Sequence, residues 1–265
     1  MQLGGTTALL TGASGGIGRA VARALHARGA RVLLSGRRAA VLDELRAELG
    51  ERAEVLQADL ADTANLTALA RSAGAVDVLV ANAALPASGS LDDFTPEQID
   101  RALDVNLRAP MHLARALVPG MVERRRGHVV LVSSLAGKAA SVGSAVYSAT
   151  KFGLRGFGAG LREDLHGTGV GVTVVFPSFI REAGMYAETE VDLPPWVGTR
   201  TPEDVARGVV RGIEQGKAEV DVAPLSLRLG AVASALAPDT AARLQRRLGS
   251  EAIAAAIARA QREKR

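Results

Sequence analysis

The chain has 265 residues, 48% of them hydrophobic and 23% charged, with a formal charge of +4 and no cysteine. Such a composition excludes a disordered chain, and zero Cys excludes disulfides and thiolate metal sites and suits the cytoplasm. The basicity is confined to Leu225 to Arg265, which holds eight Arg or Lys against Asp239, Glu251 and Glu263, a local +5 that leaves −1 for everything before it; the charge is therefore no footprint of a nucleic-acid partner.

Residues Met1 to Gly5 have no basic region before an apolar run, so no signal peptide is expected. The longest late uncharged run, Leu229 to Pro238, is far short of the ~20 residues that span a bilayer. Thr6 to Leu10 predicts a strand, Thr11-Gly12-Ala13-Ser14-Gly15-Gly16-Ile17-Gly18 a glycine-rich turn, and Arg19 to Arg28 a helix. Glycines let the backbone approach a phosphate, and a helix N-terminus offers free N–H groups and a positive dipole end. Between a first strand and a first helix, this turn points to nucleotide binding.

Arg31 to Ser35 predicts the second strand, ending at Gly36-Arg37-Arg38. An acid at that strand end holds a ribose 2′-hydroxyl, whereas an arginine accommodates a 2′-phosphate. The acid is absent and Arg37 and Arg38 follow, which points to NADP(H) rather than NAD(H); the alternative is that both arginines only solvate the start of the helix Ala39 to Leu49. Further along come a strand at Glu54 to Asp59, a helix at Thr63 to Arg71, and a strand at Val76 to Val80. Thr95-Pro96 is a helix start, with Thr as N-cap and Pro at the first position, and the helical region runs toward Arg126 and carries Asn106. His128 to Val132 predicts a strand, followed by Ser133-Ser134, a helix around Tyr147 to about His166, a strand at Val170 to Phe176, and Pro177. Arg181 to Thr199 is an irregular insertion with Pro194, Pro195 and the only Trp, Trp196; Thr201-Pro202 opens a helix to Gly216, and Glu219 to Val222 reads as a seventh strand. Strands alternating with helices require a parallel sheet covered on both faces, a Rossmann-like doubly wound α/β fold with ligands beyond the strand C-termini.

Tyr147-Ser148-Ala149-Thr150-Lys151 sets a phenol and an ammonium one helical turn apart on one face. A nearby cation favours the phenolate and so lowers the tyrosine pKa. With Thr11-Gly12-x-x-x-Gly16-x-Gly18, Asn82, Asn106, Ser134 and Tyr147-x-x-x-Lys151 in this order, the sequence resembles the short-chain dehydrogenase/reductase family over roughly residues 5 to 224, leaving Leu225 to Arg265 as a helical extension of the same domain. The resemblance implies that Gly12, Ser14, Gly15, Gly16, Ile17 and Gly18 line the cofactor pyrophosphate and ribose. It implies that Asp59 and Leu60 flank the adenine, Asn82 and Ala83 lie along the adenosine ribose, and Pro177 and the backbone of Ile180 hold the nicotinamide. It makes Tyr147 the acid in reduction and base in oxidation, with Lys151 lowering its pKa and binding the nicotinamide ribose. Ser134 then hydrogen-bonds the reacting oxygen and Asn106 anchors a water linking Lys151 to solvent. The activity implied is interconversion of a ketone or aldehyde and an alcohol; the other class carried is a non-catalytic NADP(H)-binding regulator or scaffold. Three positions depart from the family pattern: Ala81-Asn82-Ala83-Ala84, Ser178 in place of a turn glycine, and Glu182 in place of a threonine.

Four scattered histidines, His26, His112, His128 and His166, have no spacing for a metal site. Gly153, Gly156, Gly158 and Gly160 within one helix each cost ~1 kcal/mol relative to Ala, which implies close backbone approach, either across a homo-oligomer interface or within the chain. The insertion residues Met185, Tyr186 and Trp196 suggest apolar contacts that close a substrate pocket. For the tail, an apolar segment near Leu227 to Leu236, a Pro238-Asp239-Thr240 break and a helix opened by Ser250-Glu251 leave four readings open: a pocket cap, an oligomer contact, a peripheral contact with an anionic surface, or a solvated appendage.

Overall fold

The computed structural model describes residues 1–183, 186, 197–247 and 250–261; the predicted contacts of Met185 and Trp196, and Pro194 and Pro195 of the insertion, lie outside them. Its strands are β1 (Thr7–Thr11), β2 (Arg31–Gly36), β3 (Ala53–Gln57), β4 (Val78–Ala81), β5 (Gly127–Val132), β6 (Val170–Pro177) and β7 (Glu219–Val222). They form one parallel sheet in the order β3-β2-β1-β4-β5-β6-β7. The order reverses between β1 and β4, and that switch point is where an open α/β sheet leaves a crevice.

The helices are α1 (Gly16–Ala27), α2 (Ala39–Leu49), α3 (Thr63–Ala73), α4 (Pro96–Leu103), α5 (Ala109–Glu123), α6 (Ala145–Asp164), α7 (Pro202–Gln215), α8 (Leu225–Leu236), α9 (Pro238–Arg247) and α10 (Ser250–Gln261). Strand side chains alternate between two buried faces, as a period of two requires. Leu10, Val32, Leu34, Val80 and Val130 pack with Val21 and Leu25 of α1 and Val209 and Ile213 of α7. Leu9, Leu33, Leu79, Val129 and Leu131 pack on the other side with Leu66 and Leu69 of α3, Leu113 and Leu117 of α5, and Leu154 of α6. This is a Rossmann-like doubly wound sheet. No helix among the described residues is long and apolar enough to cross a membrane.

Local chemistry sets the helix starts. Thr95 and Thr201 each cap their helix through a reciprocal capping box, with Gln98 and Asp204 reaching back, and Pro follows at the first helical position. The helical region from Pro96 is not uniform: a π-helical turn at Asp104–Arg108 joins α4 to α5 and carries Asn106. Such insertions are rare and concentrate at functional sites.

The tail forms three helices with a break at Ala237, where the backbone leaves helical geometry. In α8 only Ala231 is buried, while Leu225, Leu229, Val232 and Leu236 are 58–81% exposed.

Candidate active site

At the C-terminal end of β1, Gly12 holds φ +67, and a Cβ there would lie 2.8 Å from the Cα of Ala83. A Cβ on Gly18 would lie 2.1 Å from the Gly12 carbonyl oxygen. At these two positions the turn has no side chain because backbone fills the space one would need. Asn82 and Ala83, after β4, clamp it: both backbone N–H groups donate to Thr11 Oγ1 at 3.1 and 3.2 Å, and Asn82 Nδ2 donates to the Thr11 and Gly12 carbonyls at 3.1 and 3.3 Å. The N-cap of α1, Gly15, carries no side-chain cap, and its first turn has no acid, so its N–H groups are left for an anion.

Across the turn, Arg38 Nη2 donates to the Ser14 carbonyl at 2.6 Å. The Arg37 carbonyl accepts from Gln57 Nε2 at 3.0 Å. Arg38 is therefore the arginine laid against the glycine-rich turn. Asp59 accepts from the Ala61 N–H at 3.1 Å and faces Arg101 at 3.8 Å, beside buried Leu60. A glycine-rich turn, an uncapped helix start and a flanking guanidinium fit a dinucleotide diphosphate.

The second cluster lies at the C-terminal ends of β5 and β6. Ser134 is extended and caps the short 3₁₀ turn Leu135–Gly137 by accepting from the Ala136 N–H at 3.2 Å. Lys138 closes that turn by donating to Asp221 at 2.6 Å and pairing with Glu219 at 2.8 Å, which ties it to β7. Ser133 instead donates to the Lys151 carbonyl at 3.0 Å. The two adjacent serines divide accordingly, one bracing α6 and one facing the cavity beside Tyr147.

Tyr147 keeps an accessible edge on the cavity, yet burial pushes its phenol up to about 12, opposed by the Ser134 hydrogen bond. Burial also brings the Lys151 ammonium down to about 8. Lys151 Nζ donates to the Val132 carbonyl at 3.0 Å and lies 5.6 Å from the Tyr147 ring centroid. The predicted lowering of the phenol by Lys151 is thus not the dominant effect here: desolvation of both groups favours their neutral forms.

Asn106 has a protein partner that the sequence did not indicate. Its Oδ1 accepts from the Leu85 N–H at 2.6 Å and its Nδ2 donates to the Leu85 carbonyl at 3.0 Å. Both ends of the buried amide hold the segment after β4, so the side chain clamps that backbone.

At the end of β6, Pro177 pairs with Val222, and the Ser178 N–H donates to the Val222 carbonyl at 3.1 Å. Ser178 extends the strand, so the glycine the family pattern has there is not needed. Ile180 is buried and bridges to Arg200. Glu182 has φ +70, a left-handed conformation that costs a non-glycine residue on the order of 1 kcal/mol, and it pairs with Arg181 at 3.0 Å.

A cavity of about 710 Å³ joins these parts. Ile17, Asn82, Ser134, Tyr147, Lys151, Pro177 and Ile180 line it; the glycines of the turn, Ser14, Arg37, Arg38, Asp59, Leu60, Ala83 and Asn106 stand outside it. Tyr186 also lines it and packs edge-on against Phe179, ring centroids 5.3 Å apart. Residues of α8, α9 and α10 complete the lining. Their part in it was one of several readings of the tail, because no turn or motif in that stretch marks which helix face looks inward.

The family model for short chain dehydrogenases matches residues 6–193, and the chain belongs to the short-chain dehydrogenase/reductase family of NAD(P)-dependent oxidoreductases. It is 38% identical over 228 residues to a ketoacyl reductase, HetN, of a Nostoc species, covering 83% of this chain and 79% of that one. It is 36% identical to the NADP-dependent 3-hydroxy acid dehydrogenase YdfG of Escherichia coli, covering 76% and 86%. A solved short-chain dehydrogenase from Sphingobium yanoikuyae in complex with NADPH superposes with a TM-score of 0.76 at 30% identity, over 87% of this chain and 93% of that one.

Proposed function

We propose that this protein is an NADP(H)-dependent reductase of ketones or aldehydes, with Tyr147 as the proton donor. The observation that carries the reading is the convergence of Ser134, Tyr147 and Lys151 on one cavity, which reaches Ile17 on the helix that opens at the glycine-rich turn. NADPH, when bound, supplies the hydride. The glycine-rich turn and the start of α1 would hold its diphosphate, and Arg38 would take its 2′-phosphate. The NADP-dependent relative and the NADPH-bound structural neighbour support that choice.

Reduction places negative charge on the former carbonyl oxygen, which needs two hydrogen-bond donors already in place. Tyr147 supplies one and gives up its proton; Ser134, fixed by the Ala136 N–H, supplies the other. A phenol held near 12 is fully protonated at neutral pH, the form that donates. Lys151 balances the phenolate that forms, and its pKa of about 8 lets it return a proton near neutrality. Asn106 acts at one remove, holding Leu85 and so the segment after β4.

Residues 1–265 act as one catalytic unit that works as a homo-oligomer through α6. Gly153 meets Leu107 and Gly158 meets Val174 and Leu131 within the chain, whereas a Cβ on Gly156 or Gly160 would meet nothing within 4 Å. With exposed Phe152 they form an open face at a spacing of four residues, suited to close approach by a second copy.

The test is a panel of ketones and aldehydes run with NADPH and with NADH, on wild type and Arg38→Ala. NADPH should be preferred, and Arg38→Ala should cut kcat/KM for NADPH at least about tenfold, as loss of a charge-assisted hydrogen bond implies, with NADH little affected. A preference for NADH in wild type refutes the cofactor assignment.

A further inference from the structure

The cavity extends well beyond Tyr147, and its far side is built from the tail. Leu227, Gly230 and Ala231 of α8, Ala241 of α9, and Ala254 and Ile257 of α10 line it. Among the described lining residues only Lys151, at the reacting end, carries a formal charge. A carboxylate or phosphate placed at the far end would meet no cation among the described lining residues and would lose hydration without a charged partner there.

The orientation of α8 is a second, independent observation. A surface helix normally turns its large apolar side chains inward and its small or polar ones outward. Here Leu225, Leu229, Val232 and Leu236 are turned to solvent, while Gly230 and Ala231 face the cavity and a Cβ on Gly230 would meet nothing within 4 Å. A helix whose only task was to dock on the core would close this space with its large side chains. Of the leucines of α8 Leu227 lines the cavity, and keeping Leu225, Leu229, Val232 and Leu236 out leaves room for a ligand beside it.

We propose that the C-terminal helices form the substrate-selecting wall of this enzyme, and that the substrate is a long, uncharged apolar carbonyl compound whose chain runs from Tyr147 to α8 and α10. This rests on the carbonyl-reductase reading and sharpens it. It separates the chain from an enzyme for short hydroxy acids, whose carboxylate needs a cation of its own; a substrate bearing a charged carrier keeps that carrier outside the cavity.

The test is calorimetric titration of 2-butanone, 2-nonanone and 8-oxononanoate into the full-length protein loaded with NADP⁺. Affinity should rise about fourfold per added methylene as apolar surface leaves water, and 8-oxononanoate, carrying its charge at the far end, should bind at least about tenfold more weakly than 2-nonanone. Gly230→Leu adds a side chain where a Cβ meets nothing within 4 Å, on the cavity side of α8, and replaces a poor helix former; it should lower the 2-nonanone to 2-butanone affinity ratio at least about tenfold. Equal affinity for the two ketones, tight binding of 8-oxononanoate, or an unchanged ratio in Gly230→Leu overturns the proposal. Length-dependent binding without turnover of any ketone would refute the catalytic reading and leave the wall standing; turnover without length dependence would do the reverse.

Discussion

Replacing Asn106 by Ala separates two explanations of one residue. In the structure the amide exchanges two hydrogen bonds with the backbone of Leu85, at 2.6 and 3.0 Å, from a position 1% exposed. Removing it leaves the Leu85 N–H and carbonyl without these partners. Leu85 is only partly buried, so water recovers some of the loss, and about 1 kcal/mol per bond gives about 2 kcal/mol in all. In a domain of this size that lowers Tm by roughly 4–8 °C. The segment it releases leads from Asn82 and Ala84, which line the cavity, and a displacement of about 1 Å near a reacting centre costs up to about 100-fold in rate. Urea unfolding and steady-state kinetics with NADPH should therefore show stability and kcat falling together. Full activity loss with unfolding unchanged to within ~0.5 kcal/mol would refute the clamp and return Asn106 to direct work on a bound water.

Tyr147→Phe should lower kcat for NADPH-dependent ketone reduction by at least about 10²-fold, the scale of general-acid catalysis, while NADPH binding measured by cofactor fluorescence stays within about twofold; wild-type turnover would remove Tyr147 as the donor. His128 gives a pH signature of stability. Its Nε2 lies 2.8 Å from Thr173 Oγ1, whose single proton goes to the Lys217 carbonyl at 2.6 Å, so the neutral ring donates from Nε2. Burial pushes its pKa down from 6.5 to about 3. The folded state thus refuses a proton that the unfolded state accepts below 6.5: the full stability is present above that pH and is lost as pH falls toward about 3, by about 2 kcal/mol already at pH 5. Urea titrations at pH 7 and 5 should show this loss in wild type and its absence in His128→Gln; equal losses in both would refute it.

The sheet was legible because its inner strands are largely apolar runs cut off by glycine, proline or a polar turn, and burial on both faces leaves no competing pattern. The edge strands β3 and β7 carry polar residues and are partly exposed, and they are legible instead from the alternation of strands with helices. The glycine-rich turn, Ser134 and Tyr147-x-x-x-Lys151 were legible because their chemistry depends on short spacing. What escaped depends on distance through space. The partner of Asn106 is 21 residues upstream, and one extra residue in a helix, as in the π-helical turn, leaves no mark on apolar periodicity. The effect of Lys151 on Tyr147 was read from adjacency on one face, but that same face is packed into the sheet, and desolvation outweighs the neighbour. The glycines of α6 divide into two that meet side chains of this chain and two that meet none, a distinction that only packing reveals. For the tail, the sequence leaves open which face of α8 looks inward; the structure puts Leu227 on the cavity and turns Leu225, Leu229, Val232 and Leu236 outward.

The clamp on the glycine-rich turn carries a consequence in time. Thr11 takes its two hydrogen bonds from Asn82 and Ala83, 71 and 72 residues further along. The turn leaves the ribosome before β4 does, with β2 soon beside β1, yet its last restraints arrive only when β4 docks at the centre of the sheet. Until then the chain holds half a sheet and an unfinished turn. The nucleotide site therefore belongs to the seam between two halves of the sheet, and a nascent or severed N-terminal half has its residues without its shape.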